Sequence, residues 1–270
     1  MNISFFEFIS YGFVQRAFIS GIFVGVLCSI LGLFLVLRKL SLIGDGLSHV
    51  SFGAIAMGLF FGIYPIYFAI PVVIIASIFI VKLTKKAKIY GDTAIGIVSS
   101  VGLAGGVLLA SASHGFNVSL LSYLFGNILA ISASETYLSI ALSLIVLATV
   151  YLLYYELFAV TFNEEQAGIS GINSEKINLL LVVLTAITVV LSIRVVGIML
   201  ISSFFILPAV TALQISKGFK SAIFVSALTA ILSVITGICV SFYLDLPAGA
   251  SIVIVNFILF LLSFLWKKRM

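Results

Sequence analysis

The chain has 270 residues, 63% of them hydrophobic and 9% charged, with a net charge of +5 and a mean hydropathy of +1.35. Soluble domains carry about 25% charged residues, so a water-soluble globular protein is excluded, as is any large soluble domain. The apolar runs are continuous rather than alternating, which excludes a transmembrane β-barrel and predicts an all-α polytopic membrane protein, a single domain over 1–270.

The positive charge is no nucleic-acid signature, because the lysines and arginines gather between apolar runs, as topology signals do. The partner this composition demands is a lipid bilayer. The first segment, Met1 to Tyr11, lacks a basic stretch and a small-residue cleavage site, and so reads as a retained N-terminus. Apolar spans follow at 13–37, 46–62, 65–83, 91–112, 134–154, 176–193, 195–216, 221–243 and 249–266. The two that flank Arg194 have almost no loop between them. One of these, or the short second span, reads as a broken or re-entrant element, so the expectation is eight to nine transmembrane helices.

Basic clusters fall at Arg38-Lys39, at Lys82, Lys85, Lys86 and Lys88, at Lys217 and Lys220, and at Lys267-Lys268-Arg269. With nine spans they all lie on one side, together with the polar segment 156–175. The loops around 62–65, 113–133 and 244–248 carry no lysine or arginine, and only Arg16 and Arg194 fall toward that side. Lysine and arginine favour cytoplasmic loops, so the basic side and the C-terminus are expected in the cytoplasm. Spacings of Gly21 with Gly25, Gly58 with Gly62 and Gly102 with Gly106 predict close helix packing. Cys28 and Cys239 lie mid-span without CxxC spacing and read as small buried hydrophobes.

The second span opens with Gly44-Asp45-Gly46-Leu47-Ser48-His49. The chain has only nine acidic residues and two histidines, and one of each stands here, four positions apart. On a helix such positions share a face with Cβ atoms about 5–6 Å apart. With a helix starting near Ser41, Asp45 sits about 6 Å and His49 about 12 Å along it. An ionisable pair at that depth faces a cavity or a partner and reads as functional by default. The structural alternative is a pair that only satisfies itself, or an aspartate favoured by the helix dipole.

Carboxylate oxygen with imidazole nitrogen is a donor set for divalent metals. Two donors leave the shell open to water, other side chains or backbone carbonyls, which suits a site that must release its ion. Histidine ligates only when neutral, so binding should weaken on acidification. His114 reads as a loop residue, Asp92 as a helix N-cap, Glu135 as a first-turn acid and Asp245 as a turn residue, and all four stand outside the metal set.

The longest polar stretch, Tyr155 to Gly171, mixes apolar anchors with the acidic pair Glu164-Glu165. It reads either as a solvated loop with an interfacial turn of helix or as a cytoplasmic helix that docks on a partner. No GxxxxGK[ST] loop occurs, so any nucleotide that drives transport must bind another subunit.

Arg38-Lys39-Leu40-Ser41-Leu42-Ile43-Gly44-Asp45-Gly46-Leu47-Ser48-His49 closely resembles the first motif of the zinc/manganese/iron ABC transporter permeases. The likeness continues through Tyr123-Leu124-Phe125-Gly126-Asn127, Phe162-Asn163-Glu164-Glu165-Gln166-Ala167, Val196-Gly197-Ile198 to Leu207-Pro208-Ala209, and Asp245-Leu246-Pro247-Ala248-Gly249-Ala250. These blocks stand in family order over nearly the whole chain. The family commonly has Ala at position 46 and Asp at position 163, where this chain has Gly46 and Asn163.

The resemblance implies a type II ABC importer-like bundle in the plasma (inner) membrane of a prokaryote. It also implies a homodimeric or closely paired permease, two ABC ATPase subunits and an extracytoplasmic metal-binding protein. Asp45 and His49 then map onto the intramembrane metal ligands. The segment 156–175 maps onto the region coupled to the ATPase, with Phe158, Phe162, Glu164, Glu165 and Gly171 as its contact residues. Such a subunit is no enzyme and keeps no permanent cofactor. Its cargo is a divalent ion, zinc or manganese, with iron in the same donor class, and the absence of cysteine and methionine from the pair disfavours copper(I). The rival reading is a self-contained secondary transporter using the pair as a proton relay, which calls for inverted repeats, and no convincing repeat is visible.

Overall fold

The computed structural model describes residues 10–87, 89–112 and 118–267. His114, Lys88, Lys268, Arg269 and most of the leading segment fall outside the described residues.

Each helix follows from its local sequence. Helix α1 (Gly12–Leu37) runs through an unbroken apolar stretch. It stops where Lys39 takes a left-handed φ of 58° and the amides of Lys39 and Leu40 bond back to the carbonyls of Val36 and Leu35. That is a Schellman closure with lysine where glycine is usual. After three residues α2 (Ile43–Phe60) begins, and α3 (Pro65–Ala87) follows with proline at its first position, where a missing N–H costs nothing. Helix α4 spans Gly91–Ala112 and the short α5 spans Val118–Phe125.

Helix α6 (Ala133–Leu152) starts with a capping box. The Glu135 amide donates to Ser132 Oγ at 3.2 Å and the Ser132 amide donates to Glu135 Oε2 at 2.9 Å. Two short helices follow, α7 (Tyr154–Phe162) and α8 (Glu164–Ile169). Then come α9 (Ser174–Val196), α10 (Ile201–Ile215), α11 (Phe219–Leu244) and α12 (Ala248–Lys267). Among the described residues nine helical segments are long and apolar enough to cross a membrane, with α10 counted from Ile198, and no strand occurs.

The expectation of eight to nine spans therefore resolves to nine. The break lies not at Arg194 but three residues on, since Arg194 occupies the last turn of α9. Gly197, with φ 81° and ψ 159°, turns the chain out of the helix, and a 3-10 turn over Ile198–Leu200 leads into α10. Gly126, with φ 75°, lies against this turn: a Cβ there would sit 2.5 Å from the Gly197 nitrogen. Only two glycines can pass so closely at positive φ.

Helices α1, α2 and α9 are the most enclosed spans, with α3, α4, α6, α11 and α12 around them. Helices α2 and α4 pack closely. A Cβ on Gly102 would lie 2.7 Å from the Val50 Cα, and one on Gly53 would overlap the Gly102 carbonyl. Gly106 meets the Phe52 ring, so the predicted small-residue packing holds at Gly102 and Gly106. It also holds at Gly21 and Gly25, which face Val234 of α11. Gly62 is different: it has φ 68° and open space where a Cβ would be, so it serves the turn rather than a contact.

Asp92 needs a correction as well. Helix α4 starts at Gly91, so Asp92 is inside the first turn and is not its cap. Asp245 stands where expected, in a left-handed turn with φ 52° after α11.

Candidate metal-passage site

Asp45 and His49 lie in the first two turns of α2, on the side of the helix that also carries exposed Leu42. The flanking positions Gly44, Gly46, Leu47, Ser48 and Val50 are buried in the bundle. This leaves the acid and the imidazole pointing away from the core, with side chains 47% and 31% exposed. His49 Nε2 stands 3.6 Å from Asp45 Oδ2, beyond a hydrogen bond but within the reach of a shared ion. The other imidazole nitrogen, Nδ1, is buried and has no hydrogen-bond partner.

The second carboxylate oxygen is held from another helix. Ser202 Oγ, in the first turn of α10, donates to Asp45 Oδ1 at 3.1 Å. Helices α2 and α10 run in opposite directions between the two ends of the bundle, so a contact between their first turns lies inside it. The length of α10 agrees: 15 residues rise about 22 Å, short of the ~30 Å hydrocarbon layer. The break at Gly197 and the 3-10 turn after it set where this helix starts. Ser202 was not visible as a site residue, because a hydroxyl in an apolar run has no signature of its own.

Gly46 faces Ile95 of α4, and a Cβ there would overlap Ile95 Cγ2. Glycine at this position leaves Ile95 the space that a Cβ would take. Among the described residues no cluster of three or more His, Cys, Asp or Glu side chains forms. Asp45 and His49 are brought together, and among the described residues no further acid, histidine or cysteine forms a cluster with them.

A second ionic cluster marks the opposite end of the bundle. Arg194 grips Glu135 with two parallel bonds, Nε to Oε1 at 2.6 Å and Nη2 to Oε2 at 3.0 Å, and its guanidinium lies 4.8 Å from the centre of the Tyr123 ring. Glu135 is 2% exposed. Beyond its expected first-turn position, it thus anchors α9 to α6. Tyr64, in the loop between α2 and α3, joins this cluster; partial burial and the Glu135 carboxylate raise its phenol above the ordinary value.

The polar segment is helical, not a loop. Asn163 separates α7 from α8, and its side chain caps α8 by accepting from the Gln166 amide at 2.9 Å. Aspartate would cap equally well. Phe158 and Phe162 lie 4.7 Å apart, and both pack on Phe219 of α11, at 5.2 and 5.8 Å. Phe219 in turn meets Phe34 of α1 at 5.2 Å. Glu165, Ile169 and Gly171 are exposed, Ile169 at 88%.

Glu164 turns back to the bundle, where it accepts from Asn178 Nδ2 at 2.9 Å and stands 3.8 Å from Arg38. Burial pulls the Arg38 guanidinium below its ordinary value, and the Glu164 charge opposes that shift.

Nine helices among the described residues that are long and apolar enough to cross a membrane, an ionisable pair on the partly exposed face of α2 and a helix broken beside it fit a polytopic membrane transport subunit. The model of the ABC 3 transport family matches residues 10–267, and the chain belongs to that family of metal-ion ABC transporter permeases. The manganese transport system membrane protein MntC of Halalkalibacterium halodurans is 31% identical over 270 residues, covering 99% of this chain and 92% of its own. The high-affinity zinc uptake system membrane protein ZnuB of Haemophilus influenzae is 33% identical over 255 residues, covering 94% and 97%.

Among solved structures, PsaBC from Streptococcus pneumoniae in complex with Fab superposes with a TM-score of 0.87 at 31% identity, covering 97% of this chain and 95% of that one. An inward-facing putative metal-chelate type ABC transporter shares the fold, with a TM-score of 0.72 at 15% identity and coverage of 93% and 85%. The transport-subunit reading and the helical membrane fold stand on this membership. The proton-coupled secondary transporter finds no support in it.

Proposed function

We propose that this chain is the membrane-spanning subunit of an ATP-driven importer of divalent transition-metal ions, manganese or zinc, and that the ion passes between Asp45 and His49. The observation that carries this reading is the 3.6 Å separation of His49 Nε2 from Asp45 Oδ2 on one face of α2. Two donors each about 2.1 Å from one ion and that far apart subtend about 110–120°, an angle suited to tetrahedral coordination. Iron(II) falls in the same donor class. The names of relatives from both manganese and zinc systems support the class and leave the choice between the two metals to measurement.

One chain supplies two ligands, and both are partly open to the outside of the chain. A second copy, related by a two-fold axis beside α2, would bring a second Asp45 and His49 and complete a four-ligand shell. The permease is accordingly proposed as a homodimer. The lysine-rich loops and the C-terminus are assigned to the cytoplasm by their charge, and the opposite loops receive an extracytoplasmic metal-binding protein. The segment 156–175 faces the ATPase subunits and presents Glu165, Ile169 and Gly171. ATP hydrolysis on those subunits supplies the energy, and alternating access moves the ion past the pair.

Uptake of labelled Mn²⁺ and Zn²⁺ by cells expressing the whole transporter tests this. Asp45→Ala and His49→Ala should each abolish uptake while the variants still assemble with the ATPase. Wild-type uptake in both variants would end the assignment.

A further inference from the structure

The linker between α1 and α2 has no slack. The amides of Arg38, Lys39, Leu40, Ile43 and Gly46 bond in succession to the carbonyls of Phe34, Val36, Leu35, Leu40 and Leu42. A displacement of Arg38 must therefore reach the first turn of α2, where Asp45 begins the metal pair. Arg38 itself is not free. Its side chain is 9% exposed, and its Nη2 donates to Asn178 Oδ1 of α9. Asn178 Nδ2 in turn donates to Glu164 Oε1 at 2.9 Å, and Glu164 Oε2 is 3.8 Å from the same guanidinium nitrogen.

Glu164 is the first residue of α8, inside the segment read above as facing the ATPase. A cleft of about 390 Å³, lined by Arg38, Leu40, Val160, Thr161, Glu164 and Asn178, surrounds the three groups and leaves them room to part. An aliphatic surface at this corner would hold the helices together equally well. A buried cation bridged by an amide to a half-exposed carboxylate does something more: it makes the position of α8 and the position of the α1–α2 linker depend on each other.

We propose that Arg38, Asn178 and Glu164 form the latch that transmits movement of the ATPase-facing segment to the metal-carrying helix. Arg38 is a positioning residue in this scheme: it touches neither the ion nor the nucleotide. The assignment rests on the reading of 156–175 as the ATPase-facing segment.

The test uses the complete transporter, with its ATPase subunits and binding protein, in proteoliposomes. ATP hydrolysed and Mn²⁺ or Zn²⁺ taken up are measured in the same vesicles. Arg38→Gln and Asn178→Leu remove the charge and the amide bridge, respectively. Each should lower uptake about tenfold, a typical size for lost coupling between sites, while hydrolysis stays within about twofold of wild type. ATP consumed per ion then rises. Arg38→Lys keeps the charge on a smaller head and should fall between.

Unchanged uptake in Arg38→Gln and Asn178→Leu overturns the latch. So does an equal fall in uptake and hydrolysis by an assembled complex, which marks the cluster as structural support. Should Arg38→Gln fail to assemble, Asn178→Leu and Arg38→Lys carry the test, and a wild-type ratio of ATP to ion in both overturns it. A wild-type transporter that moves neither metal refutes the proposed function rather than the latch.

Discussion

Asp45 keeps its orientation through one hydroxyl. Ser202 occupies only one carboxylate oxygen, and Oδ2 stays turned toward His49. Groups that orient a metal ligand typically contribute 10–100-fold to affinity. Ser202→Ala should therefore lower metal uptake about tenfold without abolishing it, in contrast to Asp45→Ala. Saturation curves for Mn²⁺ and Zn²⁺ separate the two effects, and a Ser202→Ala curve identical to wild type would remove the serine from the site. At Gly46, alanine brings a Cβ into Ile95 Cγ2. Overpacking of this kind costs about 1–3 kcal/mol, so Gly46→Ala should lower the melting midpoint and Gly46→Ala with Ile95→Ala should restore it. Lys39 holds a left-handed φ of 58°, a conformation in which a non-glycine residue costs about 1–2 kcal/mol. Lys39→Gly is expected to raise the melting midpoint in detergent.

Among the elements, α9 and its break organise the rest. At one end Asn178 bridges Arg38 and Glu164; at the other Arg194 clamps Glu135, and three residues later Gly197 turns the chain toward Ser202. The clamp is buried on both sides, with side chains 16% and 3% exposed for Arg194 and Glu135. Removing one member of a buried pair leaves an uncompensated charge and costs about 3–5 kcal/mol, whereas apolar replacement of both is often neutral. Glu135→Ala should thus be more destabilising than Glu135→Leu with Arg194→Met, read as thermal melting of the purified protein. Gly197→Ala has no such rescue: its Cβ would enter the backbone of Phe125 and Gly126 at a φ that alanine avoids. Failure of that variant to yield folded protein is the expected result.

For the molecule as a whole, the exposed face of α2 asks for a partner. Leu42, Asp45 and His49 recur at i, i+3 and i+7, one side of a helix, and all are at least partly exposed in the single chain. If a second copy covers that face across a two-fold axis, cysteine placed at Leu42 should form a disulfide-linked dimer on mild oxidation. Replacing Cys28 and Cys239 beforehand removes the competing thiols. A monomer on the gel, from a complex that still transports, would rule out this geometry. Acidification should weaken uptake because a protonated imidazole cannot ligate. Parallel measurements of ATP hydrolysis tell loss of metal binding from loss of the motor.

Much of this architecture is written in local chemistry. Nine apolar stretches, the lysine-rich loops between them and the i, i+4 spacing of Asp45 with His49 follow from hydropathy and helix periodicity, which need no knowledge of neighbours. The first-turn place of Glu135 and the turn at Asp245 are legible for the same reason. The position of the break is different. A glycine in an apolar run reads as packing or as turn with equal ease, and only the approach of Gly126 makes Gly197 the turn. Ser202, Asn178 and the Glu135–Arg194 clamp were likewise hidden, because each acts on a residue 59 to 157 positions away. Charge and hydrophobicity dictate which segments enter the membrane; the contacts made there dictate which oxygen of Asp45 is taken by Ser202 and which is left facing His49.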